Sequence, residues 1–161
     1  MNRNRNIATK LAIVYIAAFA GLAQAKSGEV ITNTCVSGEI LSSTEIAPKQ
    51  SIITAKYVGV VKTIPSGGIF DLVSYTCHGT ISTVGAPAVF NHCVYLDKDG
   101  DKFATRYTGI PGSGGNAEIL GGSGKFTGMK GGSETKVTRL TSFPGTISAC
   151  VDGQWKYTLP D

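Results

Sequence analysis

Histidine, tryptophan and charge are all scarce in this chain. Its 161 residues include two histidines, one tryptophan and 16% charged residues. Those are the side chains on which most acid–base and metal sites depend, so elaborate polar catalysis is a poor fit. No C-x-x-C occurs, which removes the spacing used by thiolate zinc sites and redox dithiols. After residue 25 there is no run of Lys or Arg, so a nucleic-acid partner is not expected. Helical apolar periodicity is also missing there, which excludes bundles and nucleotide-binding α/β folds. A second long apolar run is absent too, so the mature chain is expected to have no membrane span. The loop serines in Gly112-Ser113-Gly114 and Gly122-Ser123-Gly124 have no helix after them, so neither makes a hydrolase elbow. Nothing calls for a cofactor or a metal.

The N-terminus carries an export leader. Arg3, Arg5 and Lys10 precede the apolar run Leu11 to Leu22, and Ala23-Gln24-Ala25 is a small-residue cleavage site. Residues 1–25 are therefore read as a signal peptide and 26–161 as a single β-barrel domain, periplasmic or secreted. The three leader cations account for three of the four net positive charges, so the mature chain is close to neutral. The alkaline isoelectric point thus overstates any attraction to polyanions.

Four cysteines survive cleavage: Cys35, Cys77, Cys93 and Cys150. An even number in an exported chain implies disulfides. Of three possible connectivities, Cys77–Cys93 with Cys35–Cys150 is favoured, because Cys77 and Cys93 fall on consecutive predicted strands. The shorter bridge contributes about 3 kcal/mol in the chain-entropy picture. His78 and His92 adjoin Cys77 and Cys93, and a Cys–His nucleophile is conceivable. Oxidation of the cysteines removes that nucleophile, and neighbours on a strand face opposite ways.

The mature chain is rich in Gly, Thr, Ser and Val, and it reads as short strands separated by turns. Glu29 to Cys35 reads as an edge strand and Ser42 to Lys49 as loop. Ser51 to Thr63 is a strand with Ile53, Tyr57 and Val61 on one face. Phe70 to Thr83 is the next, with Phe70 and His78 opposite Val73, Tyr75, Cys77 and Ile81. Val89 to Leu96 and Lys102 to Gly109 follow, the latter placing Phe103, Thr105 and Tyr107 together. Pro111 to Asn116 reads as a flexible loop. Ser133 to Ser142 sets Val137 and Arg139 against Lys136 and Leu140. Thr146 to Leu159 holds the last strands, with a bend or turn at Gly153. Alternate aspartates in Asp97-Lys98-Asp99-Gly100-Asp101 admit a calcium loop, but the positions needing Gly and Glu hold Lys102 and Thr108. The favoured reading is a hairpin turn centred on Asp-Gly. About eight strands suit a closed antiparallel barrel, which leaves no exposed edge.

The densest glycine stretch is Gly121-Gly122-Ser123-Gly124-Lys125-Phe126-Thr127-Gly128-Met129-Lys130-Gly131-Gly132. Phosphate-loop spacing fails, since Phe126 stands where Ser or Thr is required. The stretch reads as a tight turn at Gly121 to Gly124, a strand opening at Phe126 and Gly128, and a bulge at Gly131-Gly132. It resembles a segment shared by dirigent proteins and allene oxide cyclases, most clearly over Ile119 to Gly132 and more weakly back to Cys77. The resemblance implies an eight-stranded calycin-like barrel whose interior holds apolar or phenolic molecules. It transfers no functional residue to this chain.

Tyr57, Tyr75, Tyr95, Arg106, Tyr107, Glu118 and Trp155 are the candidate ligand-lining residues. The expected function is an exported, disulfide-stabilised barrel that binds a small apolar or aromatic ligand, or a surface partner, without its own catalytic constellation. A cyclase or isomerase that steers a reactive substrate by cavity shape is one alternative, and a structural envelope protein is another. Ligand identity and oligomeric state are not written in the sequence.

Overall fold

The computed structural model describes residues 26–160, so the export leader lies outside the described residues. Nine strands follow in order: β1 Lys26–Ala47, β2 Gln50–Val60, β3 Lys62–Ile64, β4 Ser74–Ser82, β5 Ala88–Leu96, β6 Lys102–Ile110, β7 Gly114–Gly122, β8 Lys130–Arg139 and β9 Thr146–Leu159. All pair antiparallel in the order β2-β4-β5-β6-β7-β8-β9-β1-β3, and a further β1–β2 pairing closes the sheet. The short β3 continues β2 past Val61, so the nine strands fill the places of an eight-stranded barrel. Period-2 alternation decides what each strand puts inside. On β4 and β5, Cys77 and Ile81, and Cys93 and Tyr95, are buried, while Ser74, His78, His92 and Val94 are exposed.

The two ends differ. Phe70 from the β3–β4 loop and Phe126 from the β7–β8 turn meet Phe103 and Trp155 at one end. Phe70 lies 5.4 Å from Phe103, 5.5 Å from Trp155 and 5.1 Å from Tyr157, centroid to centroid. Phe103 also stacks on Tyr95 at 4.2 Å. Each large apolar side chain buried here contributes about 1.5–3 kcal/mol. The plug loop is tied by one carboxylate. Asp71 accepts hydrogen bonds from the backbone N–H of Thr63 and Gly67 and from the Ser66 hydroxyl, at 2.8–3.0 Å. These bonds hold its pKa down to about 2, the Thr63 N–H contributing most.

Several sequence expectations are corrected. Glu29 to Cys35 is no edge: it lies within β1, between β9 and, at residues 31–33, β3. Ser42 to Ala47 is strand, paired with β2; both of its faces are exposed, so its polar composition mimics a loop. The strand expected from Phe70 begins only at Ser74, because Leu72 takes a left-handed φ of 58° and the chain doubles back, carrying Phe70 inward. Gly114 to Asn116 opens β7 instead of forming loop. Phe126 sits in a 3-10 turn, Gly124–Phe126, and the strand starts at Lys130. Gly153 lies within an unbroken β9.

The glycine stretch closes the plugged end. Gly124 has φ 56°, and a Cβ there would run into the Asp101 carboxylate, which accepts the Lys125 backbone N–H at 3.0 Å. The Lys125 ammonium pairs with Asp97 and lies 3.9 Å from Asp99. This lysine offsets the negative charge of the alternate aspartates, and it holds the Asp97 carboxyl below its usual range.

Both disulfides join residues that face each other directly across strand pairs. Cys77–Cys93 bridges β4 and β5 on the inner wall, and Cys35–Cys150 bridges β1 and β9 on the outer wall.

Candidate functional site

Above the aromatic plug the barrel is hollow. A cavity of about 170 Å³ runs from Trp155 and Tyr95 at its floor to Ile110, Pro111 and Arg139 at its mouth. Its walls are mainly apolar, with the Cys77–Cys93 sulfurs among them. The loops β4–β5, β6–β7 and β8–β9 surround the mouth, because each of these strand pairs turns at that end.

Five of the seven candidate residues, Tyr57, Tyr75, Tyr95, Tyr107 and Trp155, line this lumen. Arg106 and Glu118 do not. Thr105 and Tyr107 face inward, so Arg106 between them must face out. Ala117 and Ile119 do the same to Glu118. The two form an ion pair on the outer wall across β6 and β7, an exposed pair of the kind worth at most about 1 kcal/mol.

The tyrosines keep their space through glycine. Gly59 stands directly opposite Tyr75, and Gly38 opposite Tyr57. Each ring lies across its glycine, so a Cβ at Gly59 would meet the Tyr75 ring at 2.7 Å and one at Gly38 would meet the Tyr57 ring at 2.6 Å. Burial raises the pKa of all four luminal phenols. Tyr95 is pushed up to about 12, chiefly by burial. Tyr75 is raised by burial and then by Tyr95, and Tyr107 by burial against the Thr135 hydroxyl. Tyr57 is raised by burial, and the Arg139 charge pulls it back. At neutral pH these groups are therefore phenols, able to donate or accept a hydrogen bond but not to act as phenolate bases.

Three luminal polar groups were not among the candidates. Thr105, 1% exposed, and Asn91 each hold a covered side-chain oxygen with no hydrogen-bond partner. Among the described residues Arg139 is the one charged residue of the lining. Its side chain lies over Gly112, where a Cβ would come within 2.9 Å of Nε, and among the described residues it makes no ion pair. The alternation that puts Val137 inside also puts Arg139 inside, and Thr105 shares its face with Phe103 and Tyr107. Both were therefore readable from the strand period. Asn91 shares its face with Cys93 and Tyr95 on β5 and was readable in the same way.

Two solved pterocarpan synthase dirigent proteins share this architecture. One superposes with a TM-score of 0.58 at 14% identity, covering 88% of this chain and 94% of its own. The fold is that of the dirigent barrels. The other gives a TM-score of 0.51 at 13% identity, over 84% of this chain and 96% of its own. At that identity the dirigent likeness is one of fold, as the glycine stretch implied. No protein-family model matches the chain, and no curated protein does.

Proposed function

We propose that this dirigent-like barrel is an exported binding protein whose lumen takes up one small, largely apolar molecule. The observation that carries this reading is the cavity itself: it opens at one end and is walled by apolar and phenolic groups. A lumen that served only as packing would be filled by its own side chains. Size sets the scale of the guest, since a cavity near 150 Å³ takes one benzene ring. Two disulfides fit an oxidising compartment, and a leader at 1–25 followed by one mature domain at 26–161 fits periplasmic or secreted placement.

Trp155 is the sole tryptophan and lines the cavity floor, so its fluorescence reports occupancy. Titration with toluene should change Trp155 emission saturably. Native mass spectrometry of protein taken from its own periplasm or medium should show a bound small molecule. Linear, unsaturable quenching together with a guest-free mass would remove this reading.

A second reading is favoured by the two neighbours, whose names are those of synthases. Under it, the lumen orients a reactive guest, and shape with neutral phenols directs the outcome. Product stereochemistry that is identical with and without the protein would count against it.

A further inference from the structure

The lumen is mainly apolar, and its charge stands at the mouth. Among the described residues Arg139 is the one charge in the lining, with no carboxylate to pair it. The described lining holds no carboxylate, so an acid entering the lumen meets a single cation and no repulsion there. The β-sheet register connects this residue to the floor. One line of directly paired residues starts at Arg139 and passes through Ala149, Val36, Gly59, Tyr75 and Tyr95 to Phe103. A guest anchored at Arg139 therefore lies with its body along the tyrosine wall.

We infer that the barrel selects a monocyclic aromatic carboxylate, its ring within the tyrosine-lined lumen and its carboxylate on the Arg139 guanidinium. This rests on the luminal-binding reading and adds the class of guest. Guanidinium is suited to the task, because its planar fork meets a carboxylate with two parallel hydrogen bonds. The volume of about 170 Å³ favours one ring over a fused or long-chain acid.

The test compares phenylacetate, methyl phenylacetate and toluene by calorimetry and Trp155 emission on the full mature protein. Wild type should bind phenylacetate at least about ten-fold more tightly than its methyl ester, the factor expected for one charge-assisted contact. Arg139→Gln should abolish that preference while leaving ester and toluene binding within about two-fold, and Arg139→Lys should restore part of it. Arg139 lies exposed at the mouth, so its variants should fold, which circular dichroism checks. Equal binding of acid and ester by wild type, or a preference that survives in Arg139→Gln, overturns the acid assignment while toluene binding upholds the lumen as a site. Failure of all three probes at millimolar concentration overturns both.

Discussion

At the residue scale, the most informative positions are those where strand alternation meets a side chain of unexpected kind. Arg139 is an exposed cation by type and a luminal residue by position. Gly59 and Gly38 look like weak points in strands, yet each makes room for a tyrosine ring that would otherwise have no place. Gly59→Ala is expected to displace Tyr75 from the wall and lower stability by about 1–3 kcal/mol, the range for overpacking; urea unfolding checks it. Asp71 gives a prediction in pH. Its folded pKa of about 2 lies below the usual carboxylate value. Its contribution is therefore fully present above about pH 4 and lost as pH falls towards 2. Thermal melts across that interval should show wild type losing stability more steeply than Asp71→Asn, with the variant already the weaker at pH 7.

At the scale of elements, alternation made the walls legible and the ends illegible. Phe103, Thr105 and Tyr107 of β6, and Val137 and Arg139 of β8, fall on the faces that period-2 reading assigns. The plug does not. By alternation Phe70 falls in a strand from Phe70 to Thr83, on the face opposite Val73, Tyr75, Cys77 and Ile81. The chain instead turns at Leu72, and what turns it is a net of hydrogen bonds to Asp71 that no periodicity records. Ser42 to Ala47 misleads in the other direction, since a rim strand exposed on both faces carries loop-like composition. The candidate site divides the same way. Five aromatic candidates line the lumen, whereas alternation turns Arg106 and Glu118 outward. The plug also predicts an energetic asymmetry between the ends. Phe70→Ala removes a ring packed among four other aromatic rings and should cost about 3–5 kcal/mol, read from urea midpoints. Truncating Phe143, which is 84% exposed in the β8–β9 loop, should leave stability within about 0.5 kcal/mol.

At the scale of the whole molecule, closure and the two bridges act together. Every long strand finds neighbours around the ring, and contacts are dominated by residues distant in sequence, so the chain must close large loops to fold. Cys35–Cys150 closes a separation of 115 residues and Cys77–Cys93 one of 16. In the chain-entropy picture their contributions are about 4.7 and about 3 kcal/mol. Replacing the first pair by alanine should therefore lower the urea midpoint more than replacing the second.

The placement of sulfur on opposite sides of one wall has a chemical outcome. Cys35 meets solvent directly, while Cys77 and Cys93 are almost wholly covered and can be approached only by way of the lumen. A reductant too bulky to pass Arg139 should open the outer bridge and spare the inner one. A small reductant should open both, and an occupant seated in the barrel should slow the second event alone, so that the pace at which the inner thiols become alkylatable would count the empty barrels in a population.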